Sequence, residues 1–502
     1  LCSTASWDSG KPLVTVKEGK LKGAVLKSAL GLSYIAFRGI PFAAPPIGNL
    51  RFKDPQPPAP WTGIKDTSKD TKYMCPQLEE HPPFDVIGNE DCLYLNVYTN
   101  SLNQSKPVMF WIHGGAFIIG NSSFHESRPD YLLAKDVVVV SANYRLGAFG
   151  FLNLGHRVAP GNLGLKDLII ALEWVKENIA NFGGDSNNVT IFGVSAGGTL
   201  VHSLLVSPRA KGLFHKAILQ SGTLTCPWAN AEIESGFENG FKLASLLGKD
   251  SNDPVEIFEF LRTVPAEDIR EKASTLPFRP NSDDVAENPV LPEPIEQLIT
   301  KETDVPVIIS YTAHEYLMII KGDEKLISAF NQYLYGHVKN LGLLKKLGDA
   351  EIKKLFELVK NQYFGGKPIS VENLTEFSEL LSLINFDPLP HNYQIVYTTI
   401  KHDICSYTAG ASHTDDVAYL LYLPKCKIEN PNPPTIGTKD RITLERMTRM
   451  WTNFARTGNP TSVKDEFVNV IWKPATREDL CYLKIDDELH LLPISLHFLS
   501  SK

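Results

Sequence analysis

The spacing of apolar residues along the chain predicts strands and helices in alternation. Residues 108–113 and 136–145 contain continuous apolar runs, which are typical of central strands covered on both faces. Residues 162–179 place apolar side chains at helical spacing and are closed by a pair of glycines. Residues 188–194 are rich in β-branched and aromatic side chains and predict another strand. Because strands joined through a helix pair in parallel, the pattern favours a mostly parallel sheet.

Other segments surround this alternation. Residues 13–27 alternate between apolar and polar positions on both sides of a Glu-Gly turn and predict an edge hairpin. Residues 230–300 carry no strong sheet signal, and we expect them to form a helical cap. We expect residues 320–395 to form an insertion, in which residues 323–362 are rich in lysine and leucine and predict helix. Further strands are predicted at residues 215–221, 305–310 and 393–400, a final strand or hairpin at residues 481–492, and a further helix at residues 441–456.

Composition restricts the classes of protein that this chain can be. Its 502 residues are 43% hydrophobic and contain no low-complexity linker, so residues 1–502 are expected to form one large domain. Acidic and basic residues are interspersed, with a net charge of -7, and no basic patch predicts a nucleic acid or membrane partner. No run of 18 apolar residues predicts a membrane span.

A candidate nucleophile lies in the pentapeptide Gly193-Val-Ser-Ala-Gly197, between the strand at 188–194 and a predicted helix. A serine on so tight a strand-to-helix turn needs glycine neighbours, because other segments must approach its backbone closely. The amides at the start of the helix would stabilise negative charge near Ser195. Taken alone, the pentapeptide fits an ordinary turn serine equally well.

Two consecutive glycines follow the strand at 108–113. Acyl transfer develops an oxyanion, which is stabilised by backbone amides that no side chain obstructs. We therefore assign the amides of Gly114, Gly115 and Ala196 to an oxyanion hole, and an ordinary glycine turn is the alternative. We expect His113 to be structural.

An acid and a histidine follow in the order that this chemistry requires. Glu315 comes soon after the strand at 305–310, and His413 lies 98 residues further on, in a loop of small residues. A serine, an acid and a histidine in this chain order form a catalytic triad in hydrolases. Considered singly, an exposed glutamate and a solvated histidine would explain both residues.

The cysteines and glycosylation motifs bear on the cellular compartment. Seven cysteines show no metal-type spacing, and Cys75 and Cys92 bracket a polar loop that a disulfide could close. Two unrelated buried thiols are the alternative. Of four Asn-x-Ser/Thr motifs, those at Asn103 and Asn373 are the preferred glycosylation sites. We expect a secreted or secretory-pathway protein, with a cytoplasmic location as the alternative.

The chain resembles the type-B carboxylesterases, a family that includes the cholinesterases and juvenile hormone esterases. Taken as a whole, its sequence is most like those of the insect carboxylesterases. The likeness spans residues 13–495. Its most specific segments are Glu90-Asp-Cys-Leu-Tyr-Leu-Asn96, His113-Gly-Gly-Ala-Phe117, Asn181-Phe-Gly-Gly-Asp185 and Phe192-Gly-Val-Ser-Ala-Gly197.

The resemblance implies an α/β-hydrolase fold, with a twisted, mostly parallel sheet flanked by helices, and assigns several roles. It implies a triad of Ser195, Glu315 and His413, which Ser221 supports. The mechanism needs no metal or organic cofactor. The remaining implied roles are a Cys75–Cys92 disulfide, an ion pair between Arg38 and Glu90, and an acyl-pocket wall at Trp228.

Departures from the family pattern bear on the substrate. Cholinesterases have an acidic residue at the position of Val194 and a tryptophan in the first disulfide loop, but the loop at 76–91 has none. A quaternary ammonium would therefore lose its cation–π partner. Juvenile hormone esterases typically have glutamine at the position of Val194.

These observations predict a serine carboxylesterase that hydrolyses small-molecule esters through an acyl-enzyme. The expected role is general, xenobiotic, or odorant or hormone ester turnover. One alternative is a slow esterase that sequesters organophosphate or carbamate compounds, and another is a non-catalytic adhesion or binding protein. The chain is compatible with a monomer or a homodimer.

Overall fold

A computed structural model describes most of the chain. It covers residues 11–315 except 81, 227, 230–232 and 302, isolated positions between 348 and 367, residues 394–398, and residues 411–493 except 429, 477–478 and 480. Nearly all of the predicted insertion at 320–395 lies outside the described residues, as does Asn373.

In the described part of the chain, eleven strands form one large sheet, in the order β18-β17-β16-β15-β14-β13-β9-β10-β8-β4-β3. All neighbours from β10 to β17 pair in parallel, and the strands towards the two edges pair antiparallel, so the prediction of a mostly parallel sheet is confirmed. The strands of this sheet are β3 (Ala24–Lys27), β4 (Ser33–Pro41), β8 (Tyr94–Thr99), β9 (Lys106–Ile112), β10 (Val138–Ala142), β13 (Gly184–Val194), β14 (Lys216–Gln220), β15 (Val307–Thr312), β16 (Gln394–Thr398), β17 (Cys481–Ile485) and β18 (Leu489–Pro493).

Helices lie between the strands, as the alternating pattern predicts. The helices whose bounds lie in the described residues are α1 (Asp130–Leu133), α2 (Gly147–Phe151), α3 (Leu163–Asn178), α4 (Ala196–Val206), α5 (Ile233–Leu246), α6 (Pro254–Thr263), α7 (Ala266–Lys272), α8 (Ile295–Leu298) and α9 (Lys439–Thr457). The described part of the region 230–300 contains α5 to α8 and no strand, as predicted.

The central strands are covered on both faces, which explains their continuous apolar sequences. Along β9, Phe110 and Ile112 belong to one buried cluster, whereas Met109 and Trp111 belong to a second. Leu172 of α3 packs in the first cluster, and Trp451 of α9 in the second. Because successive side chains of a strand point to opposite faces, both faces need apolar residues.

The N-terminal hairpin is more restricted than the sequence predicts. Only β1 (Leu13–Val16) and β2 (Gly19–Lys22) form it, and they join β5 (Ile64–Asp66) in a separate three-stranded sheet. Residues 24–27 instead form the edge strand β3 of the large sheet. The remaining short strands are β6 (Gln77–Leu78), β7 (Val86–Ile87), β11 (Asn153–His156) and β12 (Ala159–Pro160).

The ion pair that the resemblance implies between Arg38 and Glu90 is wrong. Glu90 instead receives a bidentate pair from Arg51, with Nε and Nη2 each 2.7 Å from a carboxylate oxygen. Arg38 donates to the carbonyl of Ser68 and lies over the ring of Phe124. Arg51 is better placed because its Nη1 also donates to carbonyls at the end of α6, which compensate its charge.

Two features of the fold relate to the compartment. Cys75 and Cys92 form a disulfide, and Cys426 is also disulfide-bonded. Asn103 is exposed, whereas Asn121 is buried. None of the helices in the described residues is both long and apolar enough to cross a bilayer.

Candidate active site

Ser195 lies between β13 and α4 with a strained backbone, at φ 58° and ψ -126°. Such a conformation costs a non-glycine residue about 1–3 kcal/mol and persists only where the surroundings enforce it. Its N–H donates to the carbonyl of Gln220 at 2.8 Å. The turn is crowded, because a Cβ at Gly197 would lie 2.2 Å from the carbonyl oxygen of Ile112, and one at Gly222 would lie 2.0 Å from that of Ser195. Glycine is therefore required at both positions.

The paired glycines after β9 lie against this turn. A Cβ at Gly114 would lie 2.8 Å from the carbonyl oxygen of Val194 and 3.2 Å from Cβ of Ser195. Gly115 has φ 113°, a conformation that L side chains rarely adopt. Among the described residues, no backbone carbonyl accepts a hydrogen bond from the amides of Gly114, Gly115 or Ala196. Three amides beside Ser195 are therefore available to an anion.

Glu315, which is buried, and His413, which is half-buried, come together in a hydrogen-bonded array. Oε1 of Glu315 accepts the hydroxyl of Ser221 at 2.6 Å and the N–H of Thr312 at 2.7 Å. Its Oε2 is hydrogen-bonded to Nδ1 of His413. This leaves Nε2 of His413 as the ring nitrogen that can exchange a proton with a substrate or nucleophile.

The electrostatic surroundings of His413 favour its protonated form. Burial alone lowers the pKa of its imidazole, but the carboxylate of Glu315 and, more weakly, those of Asp416 and Asp415 raise it above the ordinary value. A histidine with this shift accepts a proton readily and stabilises the resulting charge, which is the property of a general base.

Two further carboxyl groups near His413 were not singled out by the sequence analysis. Asp415 and Asp416 lie in a short 3-10 helix after the histidine, and Asp416 is completely buried. Burial raises the pKa of Asp415 to about 7 and that of Asp416 to about 6. The sequence shows only two acids beside a loop histidine, a pattern that is more typical of a solvated surface.

His113 packs against the site without contributing a proton acceptor. Its Nδ1 lies 2.8 Å from the carbonyl oxygen of Gly114, and its ring stacks on that of Tyr144. Burial lowers the pKa of His113 to about 4, so the ring is neutral at physiological pH. These contacts fix the loop that carries Gly114 and Gly115.

Trp228 is half-buried and lies near Phe117, which follows the paired glycines in the sequence. Its ring lies 6.5 Å from that of Phe117, and Cys226, Ala229 and Tyr311 pack with it. The surface that these side chains form is apolar and suits a hydrocarbon group. Within the described residues, no three His, Cys, Asp or Glu side chains come together to hold a metal ion.

Comparisons with known proteins agree on one family. A family model described as the carboxylesterase family matches residues 10–496. Esterase FE4 of Myzus persicae is 34% identical, covering 93% of this chain and 88% of that protein. Juvenile hormone esterase of Tribolium castaneum is 32% identical, covering 97% and 90%. The solved structure of juvenile hormone esterase from Manduca sexta has a TM-score of 0.82 at 26% identity and covers 97% of this chain and 98% of that one.

Replacement of Glu315 by glutamine tests the electrostatic assignment. We expect the rate of Ser195 labelling by a fluorophosphonate to fall about a thousandfold or more, because the acid of a triad orients and charges the histidine. In the parent, the rate should fall on the acid side with a midpoint above the ordinary histidine pKa. In Glu315→Gln the midpoint should move to lower pH, since the main contribution that raises the pKa is gone.

Asp130→Asn is the matched control, because Asp130 is a buried carboxylate that bonds to Ala29 and Arg128 instead of the site. Its labelling profile should equal that of the parent. An unchanged profile in Glu315→Gln would contradict the assignment.

Proposed function

The chain belongs to the carboxylesterase family and is a carboxylic ester hydrolase, and from this premise we propose that Ser195, His413 and Glu315 carry out the hydrolysis. The observation that carries this proposal is the hydrogen-bonded array of Ser221, Glu315 and His413, which lies beside a serine held in a strained turn. Fold alone would not support it, because one fold hosts many functions.

The first half of the reaction forms an acyl-enzyme. Oγ of Ser195 attacks the ester carbonyl carbon while Nε2 of His413 accepts the hydroxyl proton. The carbonyl oxygen becomes an oxyanion against the amides of Gly114, Gly115 and Ala196. Collapse of the tetrahedral intermediate breaks the bond to the alcohol, which leaves with the proton from His413.

The second half of the reaction regenerates the serine. Water attacks the acyl carbonyl and gives its proton to His413, and the same three amides stabilise the second oxyanion. The carboxylic acid then leaves and Ser195 recovers its proton. Throughout, Glu315 keeps the histidine in the tautomer that presents Nε2 and stabilises the imidazolium. Ser221 and the N–H of Thr312 in turn fix the position of Glu315 through hydrogen bonds to its Oε1.

We propose that the substrates are neutral esters with an apolar acyl group. The role would be the turnover of esters in general, of xenobiotic esters, or of odorant or hormone esters. Trp228 and Phe117 supply an apolar wall, and Val194 adds no charge beside the nucleophile. A cationic alcohol would find neither an acidic neighbour at position 194 nor a tryptophan in the loop at 76–91.

We also propose that the protein passes through the secretory pathway. A Cys75–Cys92 disulfide persists in oxidising compartments and is rare in the cytosol. Asn103 is exposed in a turn, where a glycan can be accommodated.

The central experiment is a time course with 4-nitrophenyl esters from acetate to octanoate. The parent should turn over steadily, and Ser195→Ala should lose nearly all of this activity, a factor on the order of 10⁶ in kcat for a comparable nucleophile. In the same series, Trp228→Ala should move the optimum to longer acyl chains, because removal of the indole ring leaves more space for the acyl group. The proposal would be contradicted if Ser195→Ala hydrolysed the esters as fast as the parent. It would also be contradicted if the parent released a single burst of product and then showed no turnover.

Glycosylation tests the proposed compartment. Protein secreted from insect cells should lose mass on treatment with an N-glycosidase, and Asn103→Gln should remove the part of this loss that arises from Asn103. Asn121→Gln is the control and should leave the loss unchanged, because Asn121 is buried. A parent protein that carries no glycan would be inconsistent with the secretory location.

A further inference from the structure

The dipeptide Gln220-Ser221, at the end of β14, contacts the segments that carry all three proposed catalytic residues. The carbonyl of Gln220 accepts the N–H of Ser195 at 2.8 Å. The hydroxyl of Ser221 donates to Glu315 at 2.6 Å. The side-chain amide of Gln220 donates to Oδ2 of Asp416 at 2.7 Å, three residues after His413. Two adjacent residues therefore connect the nucleophile turn, the acid and the histidine loop.

The bond between Gln220 and Asp416 is costly as a purely structural feature. Both side chains are completely buried, and Oδ1 of Asp416 and Oε1 of Gln220 have no hydrogen-bond partner among the described residues. A half-satisfied buried polar pair destabilises a fold, and two apolar side chains of similar volume would avoid that cost. Polar pairs that break this rule are expected where function requires them.

We propose that Asp416, held by Gln220, is a positioning residue for His413, which fixes the histidine loop to the nucleophile turn and stabilises the imidazolium formed during catalysis. The inference rests on the proposed function of Ser195, Glu315 and His413. It adds the carboxylate of Asp416 to that of Glu315 as a source of negative charge that acts on the histidine.

The charge on Asp416 depends on Gln220. Burial raises the pKa of Asp416 to about 6, and the hydrogen bond from Gln220 opposes that rise. Among the described residues, the titratable groups that face His413 are Glu315 after β15, together with Asp415 and Asp416 from the following 3-10 helix, and each raises the pKa of His413. Asp415 is held differently, because its carboxylate accepts the N–H of Ser412 at 2.7 Å within the same loop.

The test is the pH dependence of kcat/KM for 4-nitrophenyl acetate in Asp416→Asn, with the thermal midpoint of unfolding measured in parallel. The active form has a neutral His413, so activity falls at low pH as the imidazole is protonated. Loss of the Asp416 charge lowers the pKa of His413. The acid limb of the profile, which is the fall of kcat/KM at low pH, should therefore move about one pH unit lower. We expect kcat to fall about tenfold while KM changes less than twofold, because Asp416 contacts no substrate.

Gln220→Leu is the second variant, and it keeps the backbone bond to Ser195. Its buried Asp416 loses the hydrogen bond that opposes protonation, so the acid limb should move in the same direction. The double variant should shift no further than Asp416→Asn alone, since the two residues act through one contact. Additive shifts would overturn the proposal.

Asp283→Asn is the matched control, because Asp283 is a completely buried carboxylate that bonds to the amides of Val290 and Leu291. It should lower the thermal midpoint without moving the acid limb. If Asp416→Asn likewise only lowers the thermal midpoint, and its acid limb and kcat equal those of the parent, then Asp416 is merely structural and the proposal fails.

Ser195→Ala, assayed in parallel, separates this failure from failure of the proposed function. If Ser195→Ala is inactive while Asp416→Asn has the activity and pH profile of the parent, only the role of Asp416 is overturned. A fully active Ser195→Ala would remove the catalytic array on which the role of Asp416 depends.

Discussion

The strained backbone of Ser195 is the constraint on which the site depends. A φ of 58° with ψ of -126° is stable only because β13 ends there, α4 begins at the next residue, and Gln220 accepts the serine N–H. Ser221, directly after the adjacent strand β14, is also at positive φ, 49°, and orients its hydroxyl towards Glu315. The parallel sheet aligns the ends of these strands. The fold therefore provides the strain, and the strain presents the serine beside free amides.

The pKa values of the histidines in this region are shifted in opposite directions, although burial lowers each of them, and the difference lies in their carboxylate partners. His113 and His202 are buried and have no carboxylate partner in the part of the chain that the structure describes, and burial lowers their pKa values to about 4 and about 3. His413 is half-buried beside Glu315, and its pKa is raised. A low-dielectric site strengthens the attraction between His413 and Glu315, so one carboxylate converts an inert ring into a proton acceptor.

The sequence was most informative where the local chemistry leaves little choice. The turn at Ser195 follows from its flanking glycines, and the central strands follow from uninterrupted apolar runs. Contacts between distant residues were not predictable in this way. Asp416 looks solvated in the sequence because its partner Gln220 lies 196 residues away. Arg51 replaces Arg38 as the partner of Glu90 because its guanidinium also reaches a carbonyl 211 residues away. Such partners are defined by the folded sheet, which local patterns do not encode.

Peptide mapping after reaction with a fluorophosphonate is the most direct test of the central claim, that Ser195 is the nucleophile. Mass spectrometry of the digested protein would identify the residue that carries the phosphonyl group. The account predicts one adduct, on Ser195, formed at a rate that a competing ester substrate reduces. An adduct confined to another serine, or no adduct in protein that hydrolyses esters, would contradict it.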